Sequence, residues 1–125
     1  MTTSDSEEIF TTWTKDLDVD QVSIVYLCGE LDASSAPAFL SDMQVLVNNQ
    51  RNLVMDSHLL SYIDSTGVSA LLSMKNALEK NGRKLCIVGS HGLLSKILHV
   101  TRVESEIKCF DNLDDAIEDL QSVGW

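Results

Sequence analysis

Two short runs, Leu53-Val54-Met55 and Leu85-Cys86-Ile87-Val88, are apolar at every position. A strand with no polar face has to be covered on both sides, as the central strands of a parallel sheet are. Each run is followed by apolar residues at helical spacing. After the first come Val68, Leu71, Leu72 and Leu78, with the stem of Lys75 among them, ending at the C-terminal signal Asn81-Gly82. After the second, Leu93, Leu94, Ile97 and Leu98 outline a shorter helix.

The flanking segments extend this alternation. Residues 9–15 and 22–28 are rich in β-branched and aromatic side chains, and the polar stretch 16–21 between them predicts an antiparallel hairpin with a long turn. Ala36, Phe39, Leu40, Met43, Leu46 and Val47 form one helix face, with Ser34 or Ser35 as cap and Pro37 near the start. Residues 106–110 read as a last strand. Asp111 or Asn112 then caps a terminal helix that turns Leu113, Ala116, Ile117 and Leu120 inward, with Asp114 and Asp115 suiting its dipole. The expectation is a single α/β domain over residues 9–121: a mixed β-sheet opened by an antiparallel hairpin, with about four helices packed on it. Residues 1–8 read as a flexible acidic N-terminus and 122–125 as a C-terminal tail.

A net charge of −10 without a basic or aromatic stripe argues against nucleic-acid binding. No run approaches the roughly 20 apolar residues of a membrane span. The acidic start, Met1 to Glu8, lacks the features of a secretory signal. A cytoplasmic protein with no direct membrane insertion is expected. Cys28, Cys86 and Cys109 are scattered through apolar segments and read as reduced core thiols. His58, His91 and His99 are not spaced as ligands on one helix face, so neither metal nor cofactor is expected.

Catalytic signatures are missing too. Gly-x-Ser-x-Gly, Gly-x-Gly-x-x-Gly and the phosphate-binding Gly-x-x-x-x-Gly-Lys-Ser/Thr loop do not occur, and Val88-Gly89-Ser90-His91-Gly92 reads as a plain turn. The segment that stands out is Asp64-Ser65-Thr66-Gly67, at the mouth of a helix, where unpaired N–H groups and the dipole suit a phosphate. Taken alone it makes Ser65 an N-cap, with Asp64 completing the turn. A second polar cluster, Gly29-Glu30-Leu31-Asp32, closes the second strand. Loops after strand carboxyl ends gather on one edge of such a sheet, so Asp32 and Ser65 are expected to be neighbours.

Taken in order, these blocks resemble the STAS family (sulfate transporter and anti-sigma factor antagonist domains), most closely its free-standing bacterial anti-sigma factor antagonists. The resemblance spans residues 8–121. It is carried by Gly29-Glu30-Leu31-Asp32, by Leu53-Val54-Met55-Asp56 through Tyr62-Ile63-Asp64-Ser65-Thr66-Gly67, by Val88-Gly89, and by Phe110-Asp111-Asn112-Leu113-Asp114-Asp115-Ala116. Ser57-His58 departs from the commoner Leu-Ser, and Trp125 lies outside the pattern. The resemblance implies a curved mixed sheet with helices mainly on one side, and a non-enzymatic partner-switching role. The unphosphorylated form would bind an anti-sigma factor that is also a serine kinase, releasing a sigma factor. Phosphorylation of Ser65 would end that binding, and a partner phosphatase would restore it. By the same resemblance Asp32, Asp64, Ser65, Thr66 and Gly67 contact the partner, and the protein is a monomer or weak homodimer. Alternatives within the family are a scaffold subunit of a stress-sensing complex and a subunit of a lipid-transport ATPase.

Overall fold

Five strands lie in one sheet in the order in which they occur along the chain. In the computed structural model, which describes residues 9–18 and 21–121, β1 (Thr11–Asp16) runs antiparallel to β2 (Val22–Leu31). Strands β3 (Asn52–Ile63), β4 (Leu85–Val88) and β5 (Lys108–Phe110) then follow in parallel. The crossovers carry α1 (Ala36–Asn48), α2 (Ser65–Lys80) and α3 (Gly92–Val100), the last followed by a 3-10 turn at Val103–Ser105. Helix α4 (Leu113–Gln121) follows β5. This is the mixed α/β domain expected. The acidic N-terminus, two residues of the hairpin turn and the C-terminal tail lie outside the described residues.

Crossovers that step in one direction with the same hand place their helices on one face of the sheet. Accordingly, Val25, Leu27, Leu53, Met55, Leu85 and Ile87 point into a core shared with Phe39, Met43, Leu71, Leu78, Leu94 and Leu98 of α1, α2 and α3. The intervening side chains, Val22, Val54, Cys86 and Val88, meet Ala116 and Leu120 of α4 on the opposite face. That division explains runs without a polar position. Burial pushes the Cys86 thiol up to about 12, with Asp119 and then Cys109 adding to the effect. Burial also pushes Cys109 up to about 11, Glu104 contributing. Both remain protonated core thiols, while Cys28 is half-buried.

Three boundaries differ from expectation. The second strand continues through Gly29 and Glu30 to Leu31, and β3 continues for 12 residues where a strand of three and a loop were expected. Two register shifts against β2, between Tyr26 and Cys28 and between Gly29 and Glu30, absorb the polar residues of β3. Beyond Asp56 that strand has outrun β4 and pairs only with β2, so His58, Leu59, Ser61 and Tyr62 are exposed. Ser57 is buried there, its hydroxyl donating to the Val88 carbonyl at 2.8 Å. Glu106 and Ile107 fall before β5, because both their N–H groups bond back to the Val103 carbonyl.

The hairpin is stapled from β3's side. Arg51 donates to the Ser23 hydroxyl and to the Leu17 and Val22 carbonyls, each at 2.8 Å, and Ser23 donates to Asp16 at 2.6 Å. Gly29 sits at φ +99°, where a Cβ would lie 2.8 Å from the Ile9 carbonyl oxygen. The approach of the chain entering β1 therefore demands glycine. Gly29→Ala is expected to destabilise the fold by about 1–3 kcal/mol through combined strain and clash. Urea unfolding checks this, and a midpoint unchanged from wild type would refute it.

Candidate functional site

Strand β3 ends at Ile63 and α2 begins at Ser65, leaving Asp64 as the hinge. Its backbone is extended (φ −108°, ψ −174°), and its Oδ1 accepts from the Gly67 N–H at 2.9 Å. Asp64 is therefore the N-cap, which corrects the expectation that Ser65 fills that role. The reason is local geometry. A cap residue keeps non-helical dihedrals while its side chain reaches the third helical N–H. Ser65 is already helical. Its side chain is exposed, and its hydroxyl has no hydrogen-bond partner among the described residues.

The second oxygen of Asp64 accepts from the Ala33 N–H at 3.2 Å, and the Asp64 N–H donates to the Leu31 carbonyl at 3.2 Å. One residue thus caps α2 and ties its start to the β2–α1 loop. Gly67 completes the junction. It is buried, and a Cβ there would stand 2.4 Å from the Leu31 carbonyl oxygen and 2.7 Å from Ile63 Cγ1. The close approach that Gly67 permits is internal, between α2 and the ends of β2 and β3.

The β2–α1 loop is organised by Asp32. Its Oδ1 accepts from the Ser34 N–H at 3.0 Å, the Ser34 hydroxyl at 2.7 Å and the Ser35 N–H at 3.2 Å. The Ser34 hydroxyl is the main cause holding the Asp32 carboxyl below its ordinary value; burial opposes it, and the Ser34 and Ser35 N–H groups assist. Ser35 occupies the N-cap position of α1 but makes no side-chain cap bond. Instead its hydroxyl accepts from the Asp32 N–H at 3.0 Å and donates to the Glu30 carbonyl at 2.9 Å.

The two clusters meet where the Asp64 N–H donates to the Leu31 carbonyl, and the Asp64 carboxylate also holds the Ala33 N–H just beyond Asp32. Both carboxylates are committed to backbone N–H groups, while Ser65 and Thr66 stay exposed. No described side chain is hydrogen-bonded to the Ser65 hydroxyl as a base would be. The clasp between Asp64 and Ala33 is the feature that sequence reasoning missed. So is the proximity of the His58 and His91 rings, 6.3 Å apart beside the β4–α3 turn. No described helix is long and apolar enough to cross a membrane.

The STAS domain model matches residues 17–116 of the chain. An anti-sigma factor antagonist from Mycobacterium paratuberculosis superposes with a TM-score of 0.81 at 25% identity, over 91% of this chain and 96% of that one. The Bacillus cell fate determinant SpoIIAA, in its phosphorylated form, gives 0.65 at 15% identity, over 89% and 100%. The murine anion transporter Slc26a9 gives 0.68 at 19% identity, over 90% of this chain but 22% of the transporter.

Removing the Asp64 carboxylate should cost about 1–2 kcal/mol, the usual range for a lost N-cap, and Asp64→Asn should recover part of what Asp64→Ala loses. Equal urea midpoints for the two variants would contradict the cap. Ser34→Ala should raise the Asp32 pKa towards its ordinary value, read by carboxyl-carbon NMR titration. Because the folded pKa lies below the unfolded one, Asp32 adds stability above about pH 4 and loses it as pH falls through the folded pKa. The variant should therefore be less sensitive to acid over that window.

Proposed function

The chain belongs to the STAS domain family, and on that premise we propose that it is an anti-sigma factor antagonist switched by phosphorylation at Ser65. The likeness over nearly the full length of the M. paratuberculosis antagonist supports the class. The observation that carries the switch is the placement of Ser65. It is exposed, without a hydrogen-bond partner among the described residues, at the first position of α2, beside a carboxylate already bound to the helix.

In the unphosphorylated state the partner, an anti-sigma factor that is also a serine kinase, packs over Ser65, Thr66 and the loops held by Asp32 and Asp64. Gly67 acts beneath them as a spacer, by setting how closely α2 approaches β2. The kinase brings nucleotide and magnesium, so the antagonist supplies only an accessible hydroxyl. Phosphorylation adds about 1.5 to 2 negative charges and three acceptor oxygens. Since Asp64 already holds the Gly67 N–H, the new charge sits beside an existing one and faces outward. Burying it under a partner then costs desolvation as well as repulsion. A penalty of about 3–4 kcal/mol lowers affinity more than a hundredfold, at roughly 1.4 kcal/mol per decade. A phosphatase of the same pathway resets the switch.

Incubation with the cognate kinase and ATP, followed by peptide mapping, should place phosphate on Ser65. Ser65→Ala should bind the kinase constitutively, and Ser65→Asp should bind it at least tenfold more weakly. Phosphate on Thr66 alone, or undiminished binding by Ser65→Asp, would overturn the switch.

A further inference from the structure

Among the described residues, the face of the sheet that carries α4 is only half covered. That helix packs over Val22 at the start of β2, over Val54, Cys86 and Val88 of β3 and β4, and over Phe110 of β5. Towards β1 the same face bears Trp13, Tyr26, Cys28, Leu59 and Tyr62. Register puts them side by side, with Trp13 opposite Tyr26, Cys28 opposite Leu59 and Glu30 opposite Tyr62. Their alternation with Val25, Leu27, Leu31, Leu60 and Ile63, all in the core beneath α1–α3, fixes the side on which they stand. Trp13 is 47% exposed, Leu59 52% and Tyr62 39%. The Trp13 and Tyr26 rings stack at 5.2 Å with 15° between planes, forming a flat apolar floor. Single exposed apolar residues are ordinary, but a patch continuous across three strands marks an interaction surface.

We infer that this bare half-face is a docking site for an amphipathic helix of a partner protein, one whose apolar stripe is flanked by lysine and arginine. Three features choose that occupant. The outer axes of three adjacent strands are about 10 Å apart, close to the 10–12 Å diameter of a helix. Next, the other half of this face already seats an amphipathic helix, α4, through Ala116 and Leu120. Third, on this half of the face the described residues place the carboxylates of Glu30 and of Asp56, the latter also accepting from the His58 N–H, against Lys15. Lys108 on the other half is paired with Asp119 of α4, and the chain has a net charge of −10. A second copy would bring a like field to the contact, whereas cationic flanks complement it. The inference rests on the sheet face and not on Ser65.

The test is selection of helical peptides from a displayed library on the full chain, with affinities then measured on Trp13→Ala, Leu59→Glu and, on exposed α1, Val45→Glu. Trp13, Leu59 and Val45 are exposed, so circular dichroism and urea midpoints should match wild type. Expected are peptides with apolar residues at helical spacing and an excess of Lys and Arg. They should bind Trp13→Ala and Leu59→Glu at least tenfold more weakly and Val45→Glu unchanged. Selected peptides that keep their affinity for Leu59→Glu, or that carry acidic flanks, would overturn the inference. A dimer in sedimentation equilibrium that Leu59→Glu dissolves would also overturn it, by identifying a second copy as the occupant.

Discussion

The carboxylate of Asp64 is the joint on which the functional edge depends. One oxygen holds the start of α2 through Gly67, the other holds the β2–α1 loop through Ala33, and the backbone N–H of the same residue reaches Leu31. The start of α2 and the end of β2 with its following loop, 31 residues away, thereby meet at one residue. The junction also requires that nothing project from Gly67, where a Cβ would stand 2.4 Å from the Leu31 carbonyl oxygen. A negatively charged cap at a helix N-terminus is favoured by the dipole as well as by its hydrogen bonds. Asp64 and Gly67 are thus one device, in which the glycine sets the approach and the aspartate locks it.

This device decides what phosphate on Ser65 would encounter. An empty helix N-terminus would welcome a phosphate and absorb much of its charge. Here the third N–H of α2 is already taken by Asp64, and the Val68 N–H bonds to the Asp64 carbonyl. An added phosphate therefore meets a neighbour of the same sign. Asp32 adds a second carboxylate to the same edge, held in its own loop by Ser34 and Ser35. The surface is charge-poised while unmodified, and the proposed modification would tip it without any need for refolding. That matches a switch read by a partner better than one read by a change of fold.

Much of the architecture was legible in the sequence, for a physical reason. Leu53-Val54-Met55 and Leu85-Cys86-Ile87-Val88 are apolar throughout because helices cover both of their faces, so the pattern alone reports a central parallel strand. The extension of β3 to Ile63 was not legible. Asp56, Ser57 and His58 interrupt the apolar pattern, and only a tertiary contact, Ser57 to the Val88 carbonyl, together with register shifts against β2, keeps them in a strand. At the candidate site, Asp64 and Ser65 are both good cap residues by type. Choosing between them needed the backbone dihedrals that distinguish the cap from the first helical residue. The tie between Asp64 and Ala33 has no sequence signal, since it spans 31 residues and uses a backbone donor.

The same long β3 that carries the site also creates the bare face. Had the strand stopped level with β4 at Asp56, its partner β2 would have no strand to pair with past Cys28, where β1 begins. By outrunning β4 it delivers Asp64 and Ser65 to the far edge, and on the way it leaves Leu59 and Tyr62 beyond the reach of α4. Only two residues, Ile63 and Asp64, separate Tyr62 from Ser65, so the apolar face leads directly to the edge that bears the Ser65 hydroxyl. A partner that docks on the face approaches the edge, and one that reads the edge has the face beside it. One strand, long enough to leave its neighbour behind, thus places two chemically different surfaces in contact: one governed by charge, the other by apolar area.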